Sequence, residues 1–125
     1  MSEESRLRYV VLRHEGVPEP HFDLMVETQP GSALWTWRLG EWPPSVGAKL
    51  HELGDHRREY LDYEGPVSFD RGWVTRVSNG LCNLAISPST PPKVWFSLRS
   101  ERNLSFTLEQ VRATLEWHVI ELERT

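Results

Sequence analysis

The stretch RLRYVVLRHEGVPEPHFDLMVE, residues 6–27, decides the fold because it holds two strand-like runs separated by a turn. The first run mixes aromatic and β-branched side chains, and in the second Phe22, Leu24 and Val26 alternate with His, Asp and Met. The intervening EGVPEP contains one glycine and two prolines, which exclude a helix and mark a short loop. The stretch therefore predicts two neighbouring antiparallel strands.

Strand-like runs continue along the rest of the chain. They are ALWTWRL after a PGS turn, GWVTRVSNG, LCNLAI, KVWFSLR, LSFTLEQV and LEWHVIELE. Asn79-Gly80 predicts a hairpin turn, and SERN predicts another between KVWFSLR and LSFTLEQV. AKLHELG fits a strand or one helical turn, and DHRREYLDYEGP is typical of an irregular loop. A helix across TLEQVRATLEWH competes with strands there, because Leu108, Val111 and Leu115 have helical spacing; we favour strands.

Seven or eight short strands between Gly/Pro turns predict a mainly β protein, a compact β-barrel of mostly antiparallel strands with short helical or loop insertions. A length of 125 residues predicts a single domain spanning 1–125. The polar start MSEESRLR and the lack of a long apolar run predict a cytoplasmic protein with no membrane partner, and we expect a monomer. The net charge of −4 argues against nonspecific coating of nucleic acid.

Three side chains around the first turn form a candidate metal site. His21 and Asp23 are two apart on a predicted strand, so they share one face, and His14 ends the preceding strand across the turn. Two imidazoles and one carboxylate with open positions form the ligand set of a catalytic metal, which we expect in the mouth of the barrel. Surface histidines and aspartates that only contact water are the alternative explanation of this pattern.

Further polar side chains suggest contacts to an anion. His56 and Tyr60 lie four apart in a predicted loop, where His56 is a candidate general acid and the Tyr60 hydroxyl a candidate hydrogen-bond donor to a phosphate. Turn capping by His56 and packing of Tyr60 are the alternatives. His51 and His118 have no partners in sequence, and we expect surface or packing roles for both.

The chain resembles the phosphoesterase domain attached to bacterial DNA ligase D, in particular its small stand-alone relatives. The resemblance rests on RYVVLRHEGVPEPHFDLMVE, LWTWRL and GDHRREYLDYEGPVSFDRGWVTRVSNG, which carry H…HxDxxxE, DHxxxY and YEG in the family's order. It implies a β-barrel enzyme that uses a divalent cation, typically manganese, with zinc or another transition metal as the alternative. The implied reaction trims 3′ ends of DNA by removing a terminal ribonucleotide through phosphodiesterase and 3′-phosphatase steps.

The resemblance also assigns roles to residues. It makes His14, His21 and Asp23 the metal ligands and His56 and Tyr60 the phosphate-contacting catalytic pair. The implied partners are a DNA or RNA–DNA 3′ end and a separately encoded DNA ligase or polymerase.

Several positions depart from the family pattern. Met25, Gly54 and Leu12 stand where the family has an arginine that grips the phosphate, an acidic residue and a glutamine. We expect Lys49, Arg57 or Arg13 to bind the phosphate in place of the missing arginine; these three residues are the candidate phosphate-binding set.

The chain as a whole has two possible functions. One further carboxylate, Glu27, also has two possible roles. Besides the repair enzyme, a catalytically weak or inactive metal-binding module that recognises nucleic-acid ends or a repair partner explains these departures. Glu27, on the same strand face as Asp23, is either a hydrogen-bonding support of a metal ligand or a solvated carboxylate.

Overall fold

A computed structural model describes residues 6–124, which form nine β-strands and one short 3-10 helix. The strands are β1 (Leu7–Glu15), β2 (His21–Glu27), β3 (Leu34–Leu39), β4 (Lys49–His56), β5 (Gly65–Pro66), β6 (Trp73–Ser87), β7 (Lys93–Arg99), β8 (Asn103–Gln110) and β9 (Glu116–Arg124). The helix, Arg58–Leu61, lies between β4 and β5. No helix in this part of the chain has the length and apolar character needed to cross a membrane.

All nine strands belong to one antiparallel sheet that closes into a ring. The strand order is β1-β2-β3-β4-β9-β8-β7-β6, with β5 at the outer edge of β6, and β6 pairs back with β1. β1, β2 and β3 form the predicted meander, in which each strand pairs with the next along the chain. The prediction of a mainly β fold with antiparallel strands is confirmed.

The predicted hairpin at Asn79-Gly80 is wrong, because β6 runs straight through these residues from Trp73 to Ser87. A two-residue turn of that kind needs positive φ angles, and neither residue has one. Gly80 instead marks a close approach of strands, since a Cβ atom there would lie 2.1 Å from the main-chain oxygen of Arg99. Close to this point β6 gains a second neighbour, because it pairs with β1 from Trp73 to Cys82 and with β7 from Leu81 to Ser87.

The other predicted elements differ less from the structure. β7 and β8 form the predicted hairpin, and residues 107–110 and 116–118 belong to β8 and β9, so the favoured strands are confirmed over the competing helix. Residues 49–56 form a strand, β4, which decides the open choice there in favour of a strand. The predicted irregular loop after it contains the 3-10 helix and β5.

Strand alternation divides the buried side chains between the two faces of the sheet. The larger cluster draws on all eight strands of the ring and therefore fills its interior; it includes Tyr9, Leu24, Trp37, Leu50, Cys82, Phe96, Phe106 and Trp117. A smaller cluster, named here the outer cluster, consists of Val10, Leu12, Met25, Leu34, Leu61 and Val74. Its members on β1 and β2 alternate with interior residues, so they lie on the outside of the ring, where Leu61 of the 3-10 helix packs with them.

Candidate metal centre

His14, His21 and Asp23 come together at the end of the β1–β2 hairpin, as the sequence predicts. His14 and His21 are direct partners across the two strands, and their ring centroids lie 4.9 Å apart. Candidate ligand atoms of all three residues lie within 4.8 Å of one another, so this metal group can hold a metal ion. Asp23 alternates with the interior residue Leu24, which places the group on the outer face of the sheet and not in a mouth of the ring.

The imidazole of His21 is held with one nitrogen directed to the metal group. Its Nδ1 lies 2.8 Å from the main-chain oxygen of Glu19, and because a carbonyl only accepts, Nδ1 carries the proton and donates. In the neutral ring Nε2 then has a free lone pair, 3.3 Å from Asp23 Oδ2. Nε2 is buried and has no hydrogen-bond partner within residues 6–124. A bound cation would give this nitrogen a partner, and a buried polar atom without a hydrogen bond costs about 1–3 kcal/mol.

His14 is oriented by the same kind of contact. Its Nε2 lies 2.6 Å from the main-chain oxygen of Arg71, so Nε2 is the donor and Nδ1 remains available as a ligand. The loop before β6 reaches β1 closely enough for this contact because Gly72 has a φ of +74° and no side chain. A Cβ atom at Gly72 would lie 1.9 Å from the main-chain oxygen of Glu15.

Asp23 has an arginine beside it that sequence reasoning did not assign to the site. Asp23 is 3% exposed, and its Oδ1 lies 3.4 Å from Nε of Arg38, its direct partner on β3. The guanidinium of Arg38 compensates part of the carboxylate charge while 43% of its side chain stays exposed. No local sequence pattern links residues 23 and 38, because only the register of β2 and β3 brings them together.

A groove of about 640 Å³ opens beside the metal group. Its basic and imidazole side chains are His14, His21, Arg38, Lys49, His51 and Arg71, and Glu19 is its acidic one. Lys49 thus lies beside the metal group, and its contact with a phosphate stays a prediction. His51, for which the sequence suggested only a surface or packing role, also lines the groove because it pairs with Arg38 across β3 and β4.

His56 and Tyr60 contact each other but do not line the groove. Their rings pack edge to face with centroids 6.0 Å apart, and His56 Nδ1 lies 2.9 Å from the main-chain oxygen of Gly54. The sheet register places His56 level with Leu34 and Glu27, four residues or about 13 Å along β2 from Asp23. The structure therefore does not bring this pair to the groove, because His56 ends β4 and Lys49 begins it.

The two arginines predicted to bind phosphate also lie elsewhere. Arg13 precedes His14 on β1, so it points to the opposite side of the strand, and its Nε donates to Glu15 at 3.1 Å. Arg57 lines a separate pocket of about 310 Å³ with Tyr60, and its side chain is 79% exposed. The structure thus places both arginines outside the groove, which the sequence did not indicate because it gave no strand orientation for Arg13 and no path for the loop that carries Arg57.

Glu27 lies on the same strand face as Asp23, yet it neither supports a metal ligand nor contacts solvent freely. Its buried carboxylate accepts hydrogen bonds from the main-chain nitrogens of Arg8, at 2.7 Å, and Gly31, at 3.0 Å, and from Nη1 of Arg58. Burial alone would raise the pKa of Glu27, but these hydrogen bonds, with that from Arg58 the largest, hold the pKa below its ordinary value. Its role is to fasten the 3-10 helix and the β2–β3 turn to β1.

No protein-family model matches this chain, and a search of curated proteins finds none that is significantly similar to it.

Proposed function

We propose that this chain is a divalent-metal-dependent phosphoesterase that processes 3′ ends of DNA or RNA-tailed DNA. The observation that carries the proposal is the buried Nε2 of His21, which has no hydrogen-bond partner in the described part of the chain and lies 3.3 Å from Asp23. Buried polar atoms without a hydrogen-bond partner are rare unless a ligand binds to them. A cation bound with His14 as the third donor would do so.

The residues present suit a divalent ion and leave room for a substrate. Each histidine offers one nitrogen whose ring is fixed by a main-chain carbonyl, and Asp23 supplies the negative charge. When bound, the ion would polarise a phosphoryl oxygen and favour attack by water. The protein's own share is to fix the ligands, to hold the phosphate in the basic groove and to balance the charge that develops there.

The resemblance to the ligase D phosphoesterase domain supports manganese as the metal. A set of two imidazoles and one carboxylate also accepts zinc and other transition ions, so the donor atoms alone do not select one. Exchange of the metal in the assay below distinguishes these ions.

A nucleic-acid end suits the surroundings of the groove. Phe69 is 89% exposed two residues before the groove residue Arg71, and Trp73 is 47% exposed two residues after it. The guanidinium of Arg71 lies 5.7 Å from the centre of the Phe69 ring, and exposed aromatic rings are suited to stacking of bases next to a bound phosphate. The overall charge of −4 disfavours binding along the length of a duplex, which favours an end. Such trimming would serve DNA repair beside a separately encoded ligase or polymerase.

A non-catalytic module that binds metal and recognises nucleic-acid ends is the second candidate. Met25, the next residue after Asp23 on the same face of β2, is 2% exposed in the outer cluster and supplies no charge. A phosphate contact expected from the resemblance is therefore missing at that position.

The decisive experiment combines metal binding with turnover. Purified protein is heated with and without Mn²⁺, and then incubated with Mn²⁺ and a primer–template that ends in a 3′-ribonucleotide or a 3′-phosphate. We expect Mn²⁺ to raise the melting temperature and the terminal group to be lost. His21→Ala should abolish both effects, whereas His118→Ala, a histidine on β9 that contacts Glu116, should change neither.

The outcomes separate the two candidates. Mn²⁺-dependent stabilisation without turnover on either substrate would refute the enzyme and favour the module. Absence of any effect of Mn²⁺, Zn²⁺ or Co²⁺ on the melting temperature would refute both.

A further inference from the structure

The groove beside the metal group holds basic side chains whose hydrogen-bond donors are wholly or partly unused within residues 6–124. Lys49 makes no ion pair or side-chain hydrogen bond within residues 6–124, and Arg38 contacts Asp23 through Nε alone, so both of its Nη groups are unused. Arg71 donates from Nε to the main-chain oxygen of Ser68, which orients its side chain. In a chain of net charge −4, three basic side chains with unused donors in one groove favour the binding of an anion there.

The sheet register places Arg38 and Lys49 on one side of the metal group. Asp23, Arg38 and His51 form a row across β2, β3 and β4 on the outer face, because each is the direct partner of the next. Lys49, two residues from His51 on the same face, begins β4. Gly40, which follows β3, also lines the groove, and no atom lies within 4 Å of the position that its Cβ would take. The groove is therefore open at this point.

The opposite side of the metal group is closed to an anion. Met25 follows Asp23 on the outer face of β2 and packs in the outer cluster with Leu61, so apolar side chains separate the metal group from Tyr60 and His56. Asp23 would hold the metal, and a phosphate beside it would meet the basic side chains of the groove and not His56.

From these contacts we propose that Arg38 is the principal phosphate-binding residue, with Lys49 as a second positive charge, and that the substrate phosphate occupies the groove on the β3–β4 side of the metal group. This inference rests on the proposed function. The guanidinium fork of Arg38 matches two phosphate oxygens, and its Nε contact with Asp23 fixes the fork beside the metal group. The ammonium of Lys49 acts as a point charge and adds no comparable orientation.

The test measures binding of inorganic phosphate to the Mn²⁺-loaded protein by calorimetry. Arg38→Gln should weaken phosphate binding by about 10- to 100-fold, the usual effect of losing charge-assisted hydrogen bonds. Arg38→Lys should recover only part of this loss, and Lys49→Gln should weaken binding by a smaller factor. Arg102→Gln, which removes an exposed arginine outside the groove, and Tyr60→Phe should leave the affinity within about twofold of wild type.

The Mn²⁺-dependent rise in melting temperature, measured on every variant, separates loss of phosphate binding from loss of the metal or of the fold. Unchanged phosphate affinity in Arg38→Gln, an equal loss in Arg102→Gln, or no measurable phosphate binding by the Mn²⁺-loaded wild type would each overturn the proposal. If Arg38→Gln does not fold, the phosphate affinities of Lys49→Gln and Tyr60→Phe decide the side of the metal group that binds phosphate. A larger loss in Lys49→Gln supports the groove, and a larger loss in Tyr60→Phe overturns the proposal.

Failure of this inference is distinguishable from failure of the proposed function. Phosphate binding that depends on Arg38 without turnover of DNA ends would leave the inference standing and remove the enzyme. Turnover that is unaffected by Arg38→Gln would overturn the inference and leave the proposed enzyme standing.

Discussion

Glu27→Ala should destabilise the fold strongly without affecting the metal group. The substitution leaves the main-chain N–H groups of Arg8 and Gly31 without their acceptor, together with the guanidinium of Arg58. Arg58 is 38% exposed and can turn to water, so most of the cost comes from the two amides and the lost charge, about 3 kcal/mol in total. At about 0.26 kcal/mol per degree for 125 residues, the melting temperature should fall by about 11 °C.

Denaturation in urea, followed by tryptophan fluorescence, measures this loss against two reference variants. Glu27→Gln keeps one acceptor oxygen and should lose about half as much stability as Glu27→Ala. Glu123→Ala removes an exposed carboxylate of β9 and should change the free energy of unfolding by less than about 0.5 kcal/mol. The Mn²⁺-dependent rise in melting temperature should be the same in Glu27→Ala as in wild type.

The pH dependence of the stability difference between wild type and Glu27→Gln provides a second check. Because the pKa of Glu27 is lowered in the folded state from an ordinary value of 4.5, its ionised form contributes stability that is complete above about pH 5 and is lost as the pH falls through the lowered pKa. The stability gap between wild type and Glu27→Gln should therefore be constant from pH 7 to 5 and shrink below pH 4.5. A small stability loss combined with loss of Mn²⁺ stabilisation in Glu27→Ala would refute this reasoning and return Glu27 to the metal group.

Two further predictions concern the interior of the ring. Gly80→Ala should destabilise the protein by about 1–3 kcal/mol or more in thermal denaturation, because its Cβ would lie 2.1 Å from the main-chain oxygen of Arg99. Gly54→Ala should have little effect, because no atom lies within 4 Å of the Cβ position there. Equal effects of the two substitutions would contradict the close approach at Gly80. Cys82 should not react with a thiol reagent in the native protein at pH 8, because burial raises its pKa to about 12 and the residue is fully buried, and reaction at the rate of the unfolded chain would contradict this burial.

The strands were predictable where local pattern and tertiary pairing agree. Phe22, Leu24 and Val26 alternate because β2 has one face in the interior of the ring, and the prolines before them lie in the loop between β1 and β2. Asn79-Gly80 failed because the same dipeptide serves two physical needs, a turn with positive φ and a close approach of strands. Only the position of β7 distinguishes these needs, and that position depends on residues distant in sequence.

The metal group was predictable because a single hairpin brings it together. His14 and His21 are seven residues apart, and one turn sets their pairing, so short-range reasoning is sufficient. Arg38 and Arg71 reach the group through the β2–β3 register and through the loop before β6, which no local pattern encodes. The sequence thus indicates the ligands of the candidate metal but not the cations that complete the groove.

Sharing a face of a strand does not place residues in one site, and β2 illustrates why. Asp23, Met25 and Glu27 all point outward, but Met25 is buried in the outer cluster and separates the two carboxylates. Asp23 therefore belongs to the metal group, whereas Glu27 belongs to the anchor of the 3-10 helix through Arg58. Because an apolar side chain lies between them, changes at either carboxylate should affect different properties, metal binding in one case and stability of the fold in the other.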